Sequence, residues 1–230
     1  MDISIIIPTL NEAQKIGTLI QYLQKLPEAR KVLEIIIVDG GSDDNTIEMA
    51  KEKGAKVIAT KLRHRAKQMN YGARQARASI LYFLHADVFP PQSCIHDILQ
   101  SIKHKNCFGC FAYKLDTQIL WLKIHGFMTQ FNLASTGGGD QSLFIKREDF
   151  EAIGGFDEEL PIMEDFDFVW KTKRKFPFCV LKKRALVSAR RYEQYGYWKI
   201  FWIDFIVFFG FRLGRDPKQL AQWYRKQLNK

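Results

Sequence analysis

The stretch Ile80-Leu81-Tyr82-Phe83-Leu84-His85-Ala86-Asp87 constrains this chain more than any other. Five apolar residues in a row, without polar alternation, describe a strand covered on both faces, the pattern of an inner strand in a parallel α/β sheet. The run stops at a histidine and a carboxylate ahead of the turn pair Pro90-Pro91. Ligands of such sheets bind beyond the carboxyl ends of the strands, which puts Asp87 where chemistry is done.

The flanking sequence repeats this arrangement. Ile3 to Ile7 is a β-branched run closed by Pro8, and Pro8-Thr9-Leu10-Asn11-Glu12 combines a turn with helix-start residues, so a helix follows from about Glu12 to Leu26. Glu34 to Val38 is a second strand ending in Asp39-Gly40-Gly41-Ser42-Asp43-Asp44, where paired glycines permit a tight turn and the acidic residues cap a helix from about Asn45 to Lys53. Ala55 to Ala59 is a third strand, and the basic stretch Lys61 to Lys67 leads into a helix reaching Ala78. Strands alternating with helices of this length imply right-handed βαβ units in a mostly parallel sheet.

Beyond Pro91 the rhythm changes. A helix to about Lys105, a strand from Phe108 to Leu115 and an aromatic helix from about Gln118 to Leu133 precede the loop Ser135-Thr136-Gly137-Gly138-Gly139-Asp140-Gln141 and a strand at Ser142 to Lys146. The loop after Gly154 then delivers Glu164-Asp165 to the start of a helix running to about Lys175. With no repeat or linker in view, the halves are expected to share one core, in a domain over residues 1–190 followed by a helical appendage over 191–230.

Thirty-five Lys and Arg against 25 Asp and Glu give a net charge of +10, which calls for an anionic partner: nucleic acid, a membrane surface or a phosphorylated small molecule. Helix-turn-helix, RRM and zinc-finger patterns are all missing, which argues against nucleic acid. Of the four cysteines only Cys107 and Cys110 have CxxC spacing, and no second pair follows, so buried free thiols in a reducing compartment are expected rather than a zinc site. Met1 leads directly into a strand and no stretch reaches the ~18 apolar residues of a membrane span, so a cytoplasmic protein is expected. The segment from Tyr195 to Gly214 is densely aromatic with basic flanks. It suits packing on the sheet, on a second subunit in a homodimer, or on the inner face of a membrane as a peripheral contact.

Taken in order, Ser4 to Glu12 (SIIIPTLNE), Ile36 to Thr46 (IIVDGGSDDNT), Phe83 to Asp87 (FLHAD) and Gly154 to Asp165 (GGFDEELPIMED) resemble the successive motifs of the family 2 inverting glycosyltransferases of GT-A fold. The likeness covers roughly residues 3 to 175. It implies a Rossmann-like α/β fold, hexosyltransferase-like activity, a nucleoside-diphosphate sugar such as a UDP- or GDP-sugar as donor, and a divalent metal, Mn or Mg. Position by position, Pro8, Asn11 and Glu12 fall in the first nucleotide-contacting loop and Asp39 in the base-contacting place. Asp87 falls on the last residue of the metal-binding Asp-x-Asp triplet, and Asp165 on the general base of the Glu-Asp motif, with Glu164 orienting it or the acceptor. The stretch Arg65 to Asn70 (RAKQMN) resembles a subgroup of the same family.

His85 departs from the pattern, standing where many relatives carry the first Asp of the triplet. An imidazole hydrogen-bonds a ribose or ligates a transition metal but lacks the anionic oxygen that Mg²⁺ prefers, so metal binding leans on Asp87 or the ion is Mn²⁺. Arg63, Arg65 and Lys67 suit the remaining phosphate charge, and Arg190 and Arg191 suit a closing grip on the diphosphate. Gly138 and Asp140 suit a loop passing the donor or acceptor sugar. The acceptor is an unidentified hydroxyl, with a lipid-linked one among the candidates. Two rivals stand beside this reading. A sugar-phosphate nucleotidyltransferase would carry a Gly-rich basic loop after the first strand, which Pro8 to Glu12 does not provide. A basic module binding nucleic acid or a membrane surface without catalysis is the other.

Overall fold

The computed structural model describes residues 1–132 and 142–228. Its sheet begins with four parallel strands, β1 (Ile3–Thr9), β2 (Val32–Asp39), β3 (Lys56–Ala59) and β4 (Ile80–Phe83), in the order β3-β2-β1-β4. The helices α1 (Ala13–Gln24), α2 (Thr46–Glu52) and α3 (Arg65–Gln75) connect them. The isoleucine runs are unbroken because both faces of the sheet are covered. Ile3, Ile5 and Ile7 point to one side, among Ile16, Leu19 and Ile20 of α1. Ile6, Ile36, Val38, Leu81 and Phe83 point to the other, against Ala66, Met69 and Ala73 of α3.

The second half adds β5 (Val88–Phe89), α4 (Cys94–Lys105), β6 (Phe108–Asp116), α5 (Leu120–Met128), β7 (Leu143–Lys146), α6 (Arg147–Ile153), α7 (Glu164–Lys173) and β8 (Phe178–Ser188). The chain ends in α8 (Arg190–Tyr195), α9 (Tyr197–Arg212) and α10 (Pro217–Leu228). Strand β7 enters antiparallel between β4 and β6, β8 lies parallel to β6, and β5 pairs antiparallel at the far edge, so the complete sheet is mixed. The parallel expectation holds for β1 to β4 among themselves. Past Asp87 the connections are no longer uniform βα units, and nothing in the sequence rhythm specifies strand direction there.

The cysteines correct an expectation. Cys107 is paired with Cys179 in a disulfide between the starts of β6 and β8, with Cα atoms 6.2 Å apart, and only Cys94 and Cys110 are free and buried. Residues three apart on an extended strand point to opposite faces, so Cys107 and Cys110 cannot act as a pair, whereas the β6–β8 register places Gly109 opposite Cys179.

One buried charge organises the sheet edge remote from the candidate site. The Glu34 carboxylate accepts hydrogen bonds from the Ser4 hydroxyl (2.9 Å) and the Arg77 backbone N–H (2.7 Å) and faces Lys56 at 3.6 Å. Burial works to raise this carboxyl, but the Arg77 N–H, the Ser4 hydroxyl and the Lys56 and Arg77 cations outweigh it and hold it below its ordinary value.

Candidate active site

The parallel register aligns Thr9 with Asp39 at the carboxyl ends of β1 and β2, and His85 and Asp87 follow the end of β4 at the same edge. Asp39 is fully buried there. One of its oxygens accepts the backbone N–H groups of Gly41 (2.9 Å) and Ser42 (2.8 Å), and the other accepts the hydroxyls of Thr9 (3.0 Å) and Ser42 (2.5 Å). All four acceptor positions of the carboxylate are thus filled by Thr9 and by its own loop. Asp39, expected to meet the base, acts in this structure as the brace of the Gly40-Gly41-Ser42 turn.

The first loop is zipped onto that turn. Asn11 donates its backbone N–H to the Ser42 hydroxyl and accepts the Asp43 N–H on its side chain, both at 2.8 Å, while Glu12 donates its N–H to the Thr46 hydroxyl at 2.8 Å. Asn11 takes a left-handed backbone, φ 58°, which asparagine tolerates better than most residues. Pro8, the next-to-last residue of β1, feeds this loop.

Glu12, Asp87 and Arg190 come together. The Glu12 carboxyl is raised first by burial and next by the Asp87 carboxylate beside it, with Arg190 and Lys15 pulling the other way. His85 is half-buried, and burial, helped by the nearby Arg65 cation, pushes its imidazole down to about 3, so it stands neutral at pH 7. Arg65, at the first position of α3, holds a second cluster: its guanidinium bonds the Glu164 carboxylate and lies 3.5 Å from Asp165. Glu164 is buried, its second oxygen Oε2 has no partner among the described residues, and Asp165 is 12 % exposed. Met163 precedes them in a left-handed conformation, φ 67°, which is uncommon for a side chain of that kind and turns the chain into α7.

The remaining expected residues are distributed differently. Arg63 is exposed and reaches the Gly41 carbonyl (3.1 Å) and Asp43 (3.3 Å), stapling the turn braced by Asp39. Lys67 is half-buried on the first turn of α3. Arg191 turns toward the C-terminal helices, where it pairs with Asp204 of α9 and lies over the Tyr224 ring, leaving Arg190 as the member of that pair beside Glu12. Gly138 and Asp140 lie outside the described residues.

Two side chains of the RAKQMN stretch have roles that the sequence reading did not assign. Gln68 donates to the carbonyls of Thr9 (2.9 Å) and Val38 (2.8 Å), holding the ends of β1 and β2 together. Asn70 exchanges hydrogen bonds with the Phe156 backbone, donating to its carbonyl (2.8 Å) and accepting its N–H (2.9 Å), and so fixes the loop that leads to Glu164. Their signal was polar residues on the buried face of an otherwise apolar helix pattern.

A mixed, curled sheet with an acidic site at the ends of β1, β2 and β4 defines the GT-A class of glycosyltransferase folds. Residues 4–152 match the model of glycosyl transferase family 2, and the chain belongs to that family. It is 26% identical over 219 residues to an uncharacterized glycosyltransferase of Rickettsia conorii, covering 86% of this chain and 35% of that protein. It is 28% identical over 199 residues to one of Haemophilus influenzae, covering 78% and 65%. The chain therefore spans between a third and two thirds of these relatives. Among solved structures it resembles the mannosyltransferase PcManGT of Pyrobaculum calidifontis in complex with GDP-Man and Mn²⁺, with TM-score 0.64, 18% identity and 81% and 56% of the two chains covered. It also resembles S. aureus TarS 1–349 in complex with UDP-GlcNAc, with TM-score 0.67, 20% identity and coverage of 82% and 58%.

Proposed function

We propose that the chain transfers a sugar from a nucleoside-diphosphate sugar to an acceptor hydroxyl with inversion at the sugar carbon, using Asp165 as general base and a divalent ion at Asp87. The observation that carries this is a pair of clusters at the edge where parallel sheets bind ligands: Glu12 with Asp87 and Arg190 near it, and Arg65 paired with Glu164 and Asp165 and near enough to His85 to act on its charge.

The residues fit a metal ion shared with the donor. Among the described residues no three His, Cys, Asp or Glu side chains gather into a self-sufficient cage. An ion bridging phosphates needs only one or two protein carboxylates, and the mutual repulsion of Glu12 and Asp87 is what a cation would relieve. Asp87 would hold the ion, with Glu12 beside it and the donor's phosphate oxygens and water completing the shell. Such an ion supplies positive charge that stabilises the departing diphosphate more than the intact donor.

The chain's own groups do the rest. Arg190, exposed and near Glu12, would add donors for the diphosphate. The acceptor hydroxyl, with its high pKa, loses its proton as it attacks, and Asp165 receives that proton. Arg65 holds both carboxylates of the pair in place. The unpartnered Oε2 of Glu164 offers an acceptor for a hydroxyl of the incoming substrate, in keeping with an orienting role.

Thermal unfolding with UDP, GDP and their sugars tests the reading, because a ligand selective for the folded state raises the midpoint. The expected result is stabilisation that grows with Mn²⁺ and does not occur with oligonucleotides. In Asp87→Ala the metal-dependent part disappears. Stabilisation by oligonucleotides but by no nucleotide would instead establish the non-catalytic reading.

A further inference from the structure

Helix α9 is apolar on its inward and its outward side alike, with Lys199 and Asp204 the only charges between Tyr197 and Phe211. Ile200, Ile203, Val207 and Gly210 form its buried side, while Trp198, Phe201, Trp202, Phe205 and Phe209 form a stripe on the opposite side, with both tryptophans 55% exposed. A helix of this composition is ordinarily enclosed by protein or lipid. Next to it, α5 leaves Trp121 51% exposed together with Leu120, Ile124 and Phe127, and the Trp121 and Trp198 rings meet at 5.8 Å, so the two helices present one continuous aromatic surface. A soluble protein rarely leaves so large an apolar patch without a use for it.

The charges that α5 and α9 carry outside the Arg191–Asp204 pair are basic. Exposed Lys123 projects from α5, half-buried Lys199 follows Trp198 in α9 with its ammonium 5.5 Å from the Tyr195 ring, and the Arg184 guanidinium sits 5.5 Å above the Phe127 ring. The one acidic residue on either helix, Asp204, is taken up by Arg191. A second copy docking across a two-fold axis would press these cations against their own counterparts. An anionic bilayer supplies the opposite charge, and aromatic rings are at home at the level of its headgroups. No helix of the described residues is long and apolar enough to cross a membrane, so the surface lies on the bilayer rather than in it.

We infer that the joint face of α5 and α9 is a docking surface for an anionic lipid bilayer. The face is one helix away from the candidate active site: Phe166, next to Asp165, packs on Phe208 at 5.5 Å, and Trp170 stacks on Phe211 at 6.0 Å. Docking therefore fixes the orientation of the helix that carries Glu164 and Asp165 relative to the lipid surface. That orientation acquires catalytic meaning from the proposed function, but the docking rests on the exposed faces and their charge alone, so vesicle binding and sugar transfer fail separately.

The test is co-sedimentation of the full chain with phosphatidylcholine vesicles, with and without phosphatidylglycerol, and quenching of tryptophan fluorescence by brominated lipid. The expected result is binding to the phosphatidylglycerol vesicles that weakens with added salt, and at least about tenfold weaker binding by a Trp198→Ser/Trp202→Ser variant, since two large apolar contacts are removed. Because both side chains are exposed, that variant should unfold at the wild-type temperature; should it not, Lys123→Glu/Lys199→Glu serves in its place with the same expectation. Wild-type protein that stays in the supernatant with both vesicle types, or binding unaltered in the variants, overturns the inference. A dimer that forms without lipid and is dissociated by the tryptophan substitutions overturns it in favour of self-association.

Discussion

Arg65 and Glu164 make the residue-level argument. Glu164 is buried and its charge is matched by a guanidinium that is itself 40% exposed, so removing the cation leaves an unmatched buried carboxylate. Arg65→Met should therefore destabilise the fold by about 1–3 kcal/mol, and Arg65→Met/Glu164→Gln should recover much of that loss in a double-mutant cycle followed by thermal unfolding. Asp165 should behave differently. Being 12 % exposed, it tolerates Asp165→Ala with donor-induced stabilisation intact, while transfer falls by roughly 10²–10⁴, the usual worth of a positioned base. Normal transfer by that variant would remove Asp165 from the base role. At this scale the sequence reveals which residues are notable better than it reveals their partners. The spacing of Asp39, Asp87 and Glu164-Asp165 at strand and loop ends is visible in one dimension. That Asp39 is saturated by Thr9 and its own turn, or that Arg65 answers Glu164 99 residues away, depends on contacts that no local pattern encodes.

At the level of elements, α3 and the edge carboxylate Glu34 give the sharpest expectations. Gly72 lies in the middle of α3, where helix propensity favours alanine by about 1 kcal/mol. A Cβ there would come within 2.5 Å of Ile6 Cγ2 and 3.0 Å of Val38 Cγ2, both core atoms of the sheet. Overpacking of this kind costs about 1–3 kcal/mol and should outweigh propensity, so Gly72→Ala is expected to lower the unfolding midpoint and push α3, with Arg65 and Gln68, away from the site. For Glu34 the sign follows from a folded carboxyl held below its ordinary value of 4.5. Such a group stabilises the fold above that pH and stops doing so as the pH falls through its lower folded value. Glu34→Gln should be less stable by about 1–3 kcal/mol near pH 7, with the wild-type and variant curves converging on acidification, measured as midpoint against pH. The strands of the first half were readable as covered because alternate isoleucines face two cores. The antiparallel entry of β7 was not, since strand direction is set by the path of the connections rather than by residue type, and β8 was not read as a strand at all.

For the whole molecule, the Cys107–Cys179 disulfide joins residues 72 apart and links the two halves of the second sheet section. Denatured, unreduced protein should titrate two thiols rather than four, and reduction should lower the unfolding midpoint, with up to about 4 kcal/mol expected from loop closure at that separation. Titration of four thiols would restore the free-thiol expectation.

What the sequence determined by itself was the succession of covered strands, the carboxylates stationed at their ends, and the likeness of four ordered motifs to one family. Each is a local matter of apolar run length, turn chemistry and spacing, and survives without knowledge of neighbours. Tertiary structure alone decided which of the charged residues meet: Arg190 beside Glu12, Arg191 drawn off to Asp204, Arg65 closing on Glu164, and the aromatic side of α9 left facing outward beside α5. The reason is that pairing energies act over a few ångströms in space, and only the folded path of the backbone brings residues a hundred positions apart to that distance.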